Sequence, residues 1–158
     1  MRAIILLTGL LTSIVSTASP AIAQDDETAA IIAVIDTFMQ SINEADSDLA
    51  RSVMAEEGYK VARSDREGRP PIWVRPFAED YDWLDENAGK GRFHETYWDP
   101  TILRHGDMAL VWAPYSFDLD GERTHCGVNA FNLMRVASEW KITGVQYTAE
   151  PDGCPPGR

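Results

Sequence analysis

Residues 108–136 read MALVWAPYSFDLDGERTHCGVNAFNLMRV. Met108 to Leu119 reads as a long strand. Asp120-Gly121 is a strong hairpin signal, since both residue types tolerate the positive φ that a tight turn requires. Thr124 to Val136 is expected as the partner strand. Ala137-Ser138-Glu139 turns the chain again, and Trp140 to Thr148 reads as the last strand of an antiparallel meander.

Upstream of this stretch the period changes. Phe93 to Leu103 is strand-like with a break at Asp99-Pro100, and His105-Gly106-Asp107 is a turn. Residues 26–44 carry helical spacing through Ala29, Ile32, Ile35, Met39 and Ile42, with Asp25, Asp26 and Glu27 suited to the positive end of a helix dipole. A second helix is expected from a cap at Asp46 or Ser47 to Glu57, with Gly58 as its stop. Tyr59 to Arg63 then reads as a short strand and Ser64 to Pro71 as a loop. Residues 76–87 form a third helix, closed by Gly89 and Gly91. Its acidic residues Glu79, Asp80, Asp82, Asp85 and Glu86 read as a solvated face. Helices followed by a meander predict an α+β domain.

The chain has 158 residues, one domain's length, and a formal net charge of −11. That balance excludes nucleic acid as a partner, because binding it needs a basic footprint. Residues 1–23 have the form of a cleavable leader. Arg2 supplies the positive start, Ala3 to Val15 the apolar run, and Ala21-Ile22-Ala23 the small-x-small site, with Pro20 unsuited to a spanning helix. Cleavage after Ala23 leaves residues 24–158 as one periplasmic or secreted domain with no membrane attachment. Cys126 and Cys154 are the only cysteines, and an even count in an exported chain reads as a disulfide. It would pin the tail Pro151-Asp152-Gly153-Cys154-Pro155-Pro156 to the sheet. The rival, Cys126 as a nucleophile served by His125, is disfavoured because adjacent strand residues point to opposite faces.

The segments Met108 to Phe117, Asp120-Gly121, His125 to Phe131, Trp140-Lys141-Ile142 and Gly144 to Cys154 together resemble the nuclear transport factor 2-like superfamily. More narrowly they resemble its SnoaL-like and ketosteroid-isomerase-like groups and an exported bacterial branch labelled lumazine-binding. The resemblance implies a cone: a strongly curved mixed sheet wrapped around N-terminal helices, with a small-molecule pocket at the wide end. It also implies a homodimer through the sheet face. The ketosteroid isomerase pattern, an Asp base with Tyr and protonated Asp donors, finds no match here. Phe38 stands where the tyrosine is wanted, and Asp65 lies in a polar loop.

Alternation places Val111, Ala113, Tyr115 and Phe117 on one face, and His125, Gly127, Asn129, Phe131 and Leu133 on the matching face of the next strand. His125, Asn129 and Tyr115 are therefore the polar candidates in an apolar pocket, with His94 and Trp98 as further candidates from a separate strand. The leading expectation is an exported domain that binds a small, largely apolar or aromatic molecule. One alternative is an isomerase or dehydratase with His125 as base and Tyr115 as donor. Another is a protein-docking module, which predicts an apolar convex face and a filled cone. Arg63, Arg69 and Arg75, with Trp73, surround the loop after the first strand, where an arginine at the pocket mouth would hold a carboxylate. His94, His105 and His125 lack metal-ligand spacing, so neither a metal nor another cofactor is expected. Asp118 to Glu122 holds part of a calcium-loop pattern that a hairpin turn explains.

Overall fold

The computed structural model describes residues 20–64, 68 and 70–155, with side chains from 26 onward. The expected leader lies outside these residues except for 20–23, and Asp65 and Arg69 lie outside them too. The element order is α1 (Pro20–Glu44), α2 (Ser47–Val53), β1 (Met54–Ser64), β2 (Ile72–Pro76), α3 (Phe77–Asn87), β3 (Phe93–Tyr97), β4 (Thr101–His105), β5 (Met108–Leu119), β6 (Glu122–Val136) and β7 (Glu139–Ala149). Helices come first and a curved, unclosed sheet of seven strands follows.

The strands run in the order β2-β1-β7-β6-β5-β3, with β4 also paired to β5. Only β1 and β7 are parallel, with Tyr59 opposite Gly144 and Ala62 opposite Tyr147. The meander is where the alternation put it. Val111 pairs with Phe131 and Ala113 with Asn129, so both inner sets share one face. Asp120 and Gly121 adopt positive φ, as the tight turn demands.

The helices fill the concave side. In α1 the buried stripe is Ile31, Ile35, Phe38, Met39 and Ile42, which packs against Val111, Phe131, Leu133 and Ile142. Ala29 is exposed and Ile32 half-buried, so the stripe starts one residue away from the expected spacing. The Asp46 side chain caps α2, accepting from the Leu49 N–H at 3.0 Å.

The structure differs from expectation twice in this region. The second helix ends at Val53 rather than Glu57, and Met54 to Gly58 belong to β1. The Met-Ala-Glu-Glu run favours a helix locally, but pairing of Met54 with Ile142 in β7 overrides that preference. Gly58 is thus a strand residue. A Cβ there would lie 2.0 Å from the Phe77 ring, which is fully buried at the start of α3. Gly58→Ala is expected to cost about 1–3 kcal/mol, because the ring has nowhere to go. Urea unfolding of the variant measures this, and an unchanged midpoint would contradict the close approach. The second difference is β2, a strand the sequence reading does not contain, in residues that follow the expected loop Ser64 to Pro71. Ile72, Trp73, Val74 and Arg75 alternate, and they pair with β1 as an edge strand that tolerates Pro76.

Cys126 and Cys154 are joined, with Cα atoms 5.5 Å apart. Beside the bridge, Cys126 and Glu150 exchange backbone hydrogen bonds of 3.0 and 2.8 Å. The tail is therefore tied to β6 by a covalent bond and a two-bond ladder. Among the described residues no helix is long and apolar enough to cross a membrane.

The convex face of the sheet is apolar and exposed. Leu103, Met108, Leu110, Trp112 and Met134 lie there, with Trp112 57% accessible and Met108 directly opposite Met134.

Candidate functional site

A cavity of about 240 Å³ opens between the helices and the concave side of the sheet. Strand alternation aims Tyr115 and Phe117 of β5 and His125 and Asn129 of β6 into it. Phe38 and Ser41 of α1, Trp73 of β2, Trp83 of α3 and Tyr147 of β7 complete the aromatic and small-polar wall. Lys60, Arg75, Asp80 and Glu95 supply the charged groups.

His125 is held by its neighbours. Its ring stacks on Phe117 with centroids 5.2 Å apart and meets the edge of Tyr115 at 5.8 Å. Its Nδ1 lies 2.7 Å from Thr124 Oγ1. Tyr115 is fully buried, and its hydroxyl donates to the Thr148 carbonyl at 2.8 Å. Burial, reinforced by the nearby Glu95 carboxyl, raises the pKa of that hydroxyl far above the ordinary tyrosine range. Tyr115 therefore stays protonated, and its one proton is committed to the backbone. In this arrangement that proton points to the backbone and not to His125, with which the enzyme alternative pairs it.

Asn129 is buried and turns its amide to a carboxyl, with Nδ2 donating to Glu95 Oε1 at 2.9 Å. Burial raises the pKa of Glu95, and the Asn129 hydrogen bond and the charge of Lys60 offset part of that rise. The Glu95 backbone is fixed as well: its N–H donates to Asn43 Oδ1 of α1, and its carbonyl accepts from Asn43 Nδ2. This clamp orients the strand so that Glu95 faces the cavity.

The raised pKa has a pH signature. Above the ordinary glutamate range the unfolded chain has released a proton that native Glu95 still holds, so this group lowers stability as pH rises through that window. Glu95→Gln keeps an acceptor for Asn129 and removes the titration. The variant is expected to match wild type in acid and to become relatively more stable as pH rises. Urea midpoints of both proteins between about pH 4 and about pH 8 decide it, and parallel profiles would refute the shift.

Asp80 is buried, contrary to its expected place on a solvated helix face. It shares the inner stripe of α3 with Phe77, Tyr81 and Leu84, three and four residues apart. Lys60 Nζ lies 3.2 Å from its carboxylate, and Arg75 Nη2 forms a second ion pair. These are ionic contacts, since neither oxygen receives a well-directed hydrogen bond among the described residues. The Arg75 guanidinium also lies 4.9 Å from the centre of the Trp73 ring, and Lys60 Nζ is 5.1 Å from that of Phe38.

His94 and Trp98 do not reach the cavity. Alternation along β3 turns Glu95 inward and His94 out to solvent. Both line a shallow groove between α1 and β3, where the Tyr97 hydroxyl donates to Asp36 at 2.6 Å. Of the three loop arginines, Arg75 enters the cavity wall and Arg63 is exposed. Asp118 to Glu122 is the β5–β6 turn, with Asp118 paired to Arg123. Among the described residues no three His, Cys, Asp or Glu side chains gather closely enough to hold a metal ion.

Three charged wall residues, Lys60, Asp80 and Glu95, are not among the sequence candidates, whereas Arg75 is, although signals for two of the three were present. Glu95 sits between the aromatics Phe93 and Tyr97 at two-residue steps, which marks it as inward-facing. Asp80 falls on an apolar helical stripe.

No family model and no curated protein matches this chain. Solved structures do. An NTF2-like protein of unknown function from Shewanella baltica is 18% identical, covers 86% of this chain and 100% of its own, and superposes with a TM-score of 0.62. A protein of unknown function from Mycobacterium tuberculosis is also 18% identical over 86% of this chain and 82% of its own, with a TM-score of 0.69. An NTF2-like protein of unknown function from Silicibacter pomeroyi is 13% identical over 80% of this chain and 98% of its own, with a TM-score of 0.62. At these identities the likeness is one of fold.

Proposed function

The chain has the nuclear transport factor 2-like fold, and from that premise we propose that its concave cavity is a recognition site for a small organic molecule. The fold hosts many functions, so the cavity itself has to carry the argument. The observation that carries it is an open hollow in which the aromatic residues Phe38, Trp73, Trp83, Phe117 and Tyr147 face a comparable set of polar and charged groups, among them Lys60, Arg75, Glu95, His125 and Asn129. Aromatic walls with convergent polar groups in a concave hollow are features of a ligand site. Its volume of about 240 Å³ lies below the roughly 300–1,000 Å³ of sites for drug-sized ligands, which favours a compact molecule of one or two rings. A lumazine ring is one such shape.

Native mass spectrometry of protein purified from its own source tests this. The expected result is a second species heavier than the chain by a few hundred daltons, roughly the mass of a ligand that fits such a site, and lost on denaturation. A bare chain whose spectrum and melting temperature also ignore a library of one- and two-ring compounds would overturn the reading.

The docking alternative expected an apolar convex face together with a filled cone. The face is present, but the cone is open. We assign the exposed patch around Leu110, Trp112 and Met134 to a second copy of the chain, with light scattering at twice the monomer mass as the expected result. Export with cleavage after Ala23 is also proposed. The Cys126–Cys154 bridge, which persists in an oxidising compartment, supports it, and a mature N-terminus at Gln24 is the observation that tests it.

A further inference from the structure

The cavity wall gathers two cations, Lys60 and Arg75, although the chain as a whole is strongly acidic. Lys60 and Arg75, whose side chains are 12% and 26% accessible, converge on a single carboxylate, that of Asp80 at 4%. Two partly desolvated cations thus share one buried anion. The other acid of the cavity, Glu95, is turned to the Asn129 amide, and its burial opposes ionisation. Arg75 Nε is buried and has no acceptor among the described residues. A buried donor without a partner carries a free-energy cost that a bound acceptor would relieve. Trp73 and Trp83 line the same cavity.

We propose that the cavity selects a small aromatic monocarboxylate, its carboxylate held by Arg75 and Lys60 and its ring packed among the tryptophan and phenylalanine walls. This rests on the reading of the cavity as a ligand site and adds the chemical class of the ligand. The guanidinium fork matches a carboxylate in shape as well as charge. Long-range attraction cannot supply the selectivity, because a net charge of −11 repels anions at a distance. It has to come from the two cationic contacts inside.

Calorimetric titration with 2-naphthoate and its neutral isostere 2-naphthamide tests the proposal. The ring is the same, so the difference reports the charge. The carboxylate is expected to bind about tenfold more tightly or better, the range for charge-assisted hydrogen bonds. Arg75→Met leaves Lys60 and Asp80 as a one-to-one pair, so the fold should tolerate it. In that variant the preference for naphthoate over the amide should shrink severalfold, since Lys60 alone remains and is paired with Asp80, and Arg75→Lys should recover part of it. Equal binding of the two probes by the wild-type protein, or a preference undiminished by Arg75→Met, would overturn the anion assignment and leave the small-molecule reading standing. Failure of 2-naphthoate to bind also overturns the assignment, and the native mass measurement then decides the wider reading separately.

Discussion

Asp80→Asn is expected to lower folding stability by about 3 kcal/mol, the low end of the range for removing one partner of a buried ion pair. The charge geometry gives the reason. Asp80 is 4% accessible and faces both Lys60 and Arg75. Without its charge, two like-charged groups stand close together in a region they cannot leave without exposing Phe38, Trp73 and the cavity wall. Both cations keep some contact with water, which limits the cost. Asp82, two residues on, is exposed, so Asp82→Asn should change stability by no more than about 0.5 kcal/mol. The pair of variants separates a buried ionic junction from an acidic helix surface. Chemical denaturation measures both, and equal small effects would show that the junction adds nothing. Combining Asp80→Asn with Arg75→Met removes the repulsion and should recover part of the loss.

Removal of the disulfide, by Cys126→Ser with Cys154→Ser, is expected to cost about 3.5 kcal/mol from the loop-closure entropy of a 28-residue separation. This effect acts mainly on the unfolded chain. The tail around Cys154 is exposed and contributes little core, so freeing it removes few native contacts. Reduction of the wild-type protein should lower its urea midpoint by the same amount as the double variant, with the slope changed only slightly. Amide exchange should rise at Cys126 and Glu150, whose backbone ladder the bridge holds together. A midpoint indifferent to reductant would show that the bridge does not constrain the unfolded ensemble.

The two junctions differ in how readable they were. The cysteine pair needed only a count and an expectation of export. The ionic junction needed three residues from β1, β2 and α3, of which one was assigned to the wrong surface and another, Lys60, was never singled out. His125 and Asn129 were placed by alternation along one strand, and they do face the cavity. His94 was misplaced because its strand was read without a parity anchor. Once Phe93 and Tyr97 pack inward, Glu95 goes with them and His94 cannot. Tyr115 also faces the cavity side, and its hydroxyl partner, the Thr148 carbonyl, is on a strand two positions away in the sheet, which alternation along β5 does not reveal.

These contrasts mark a physical boundary. Period, turn chemistry and cysteine number are local or additive properties, so the sequence alone determined the α+β class, the hairpins, the inward faces of β5 and β6, and the covalent link between Cys126 and Cys154. The parallel junction of β1 with β7, the fate of Met54 to Gly58, the burial of Asp80 and the meeting of Glu95 with Asn129 were decided only in the tertiary structure. Each of these joins residues distant along the chain. Its free energy comes from desolvating groups together, and no window of neighbouring residues contains that quantity.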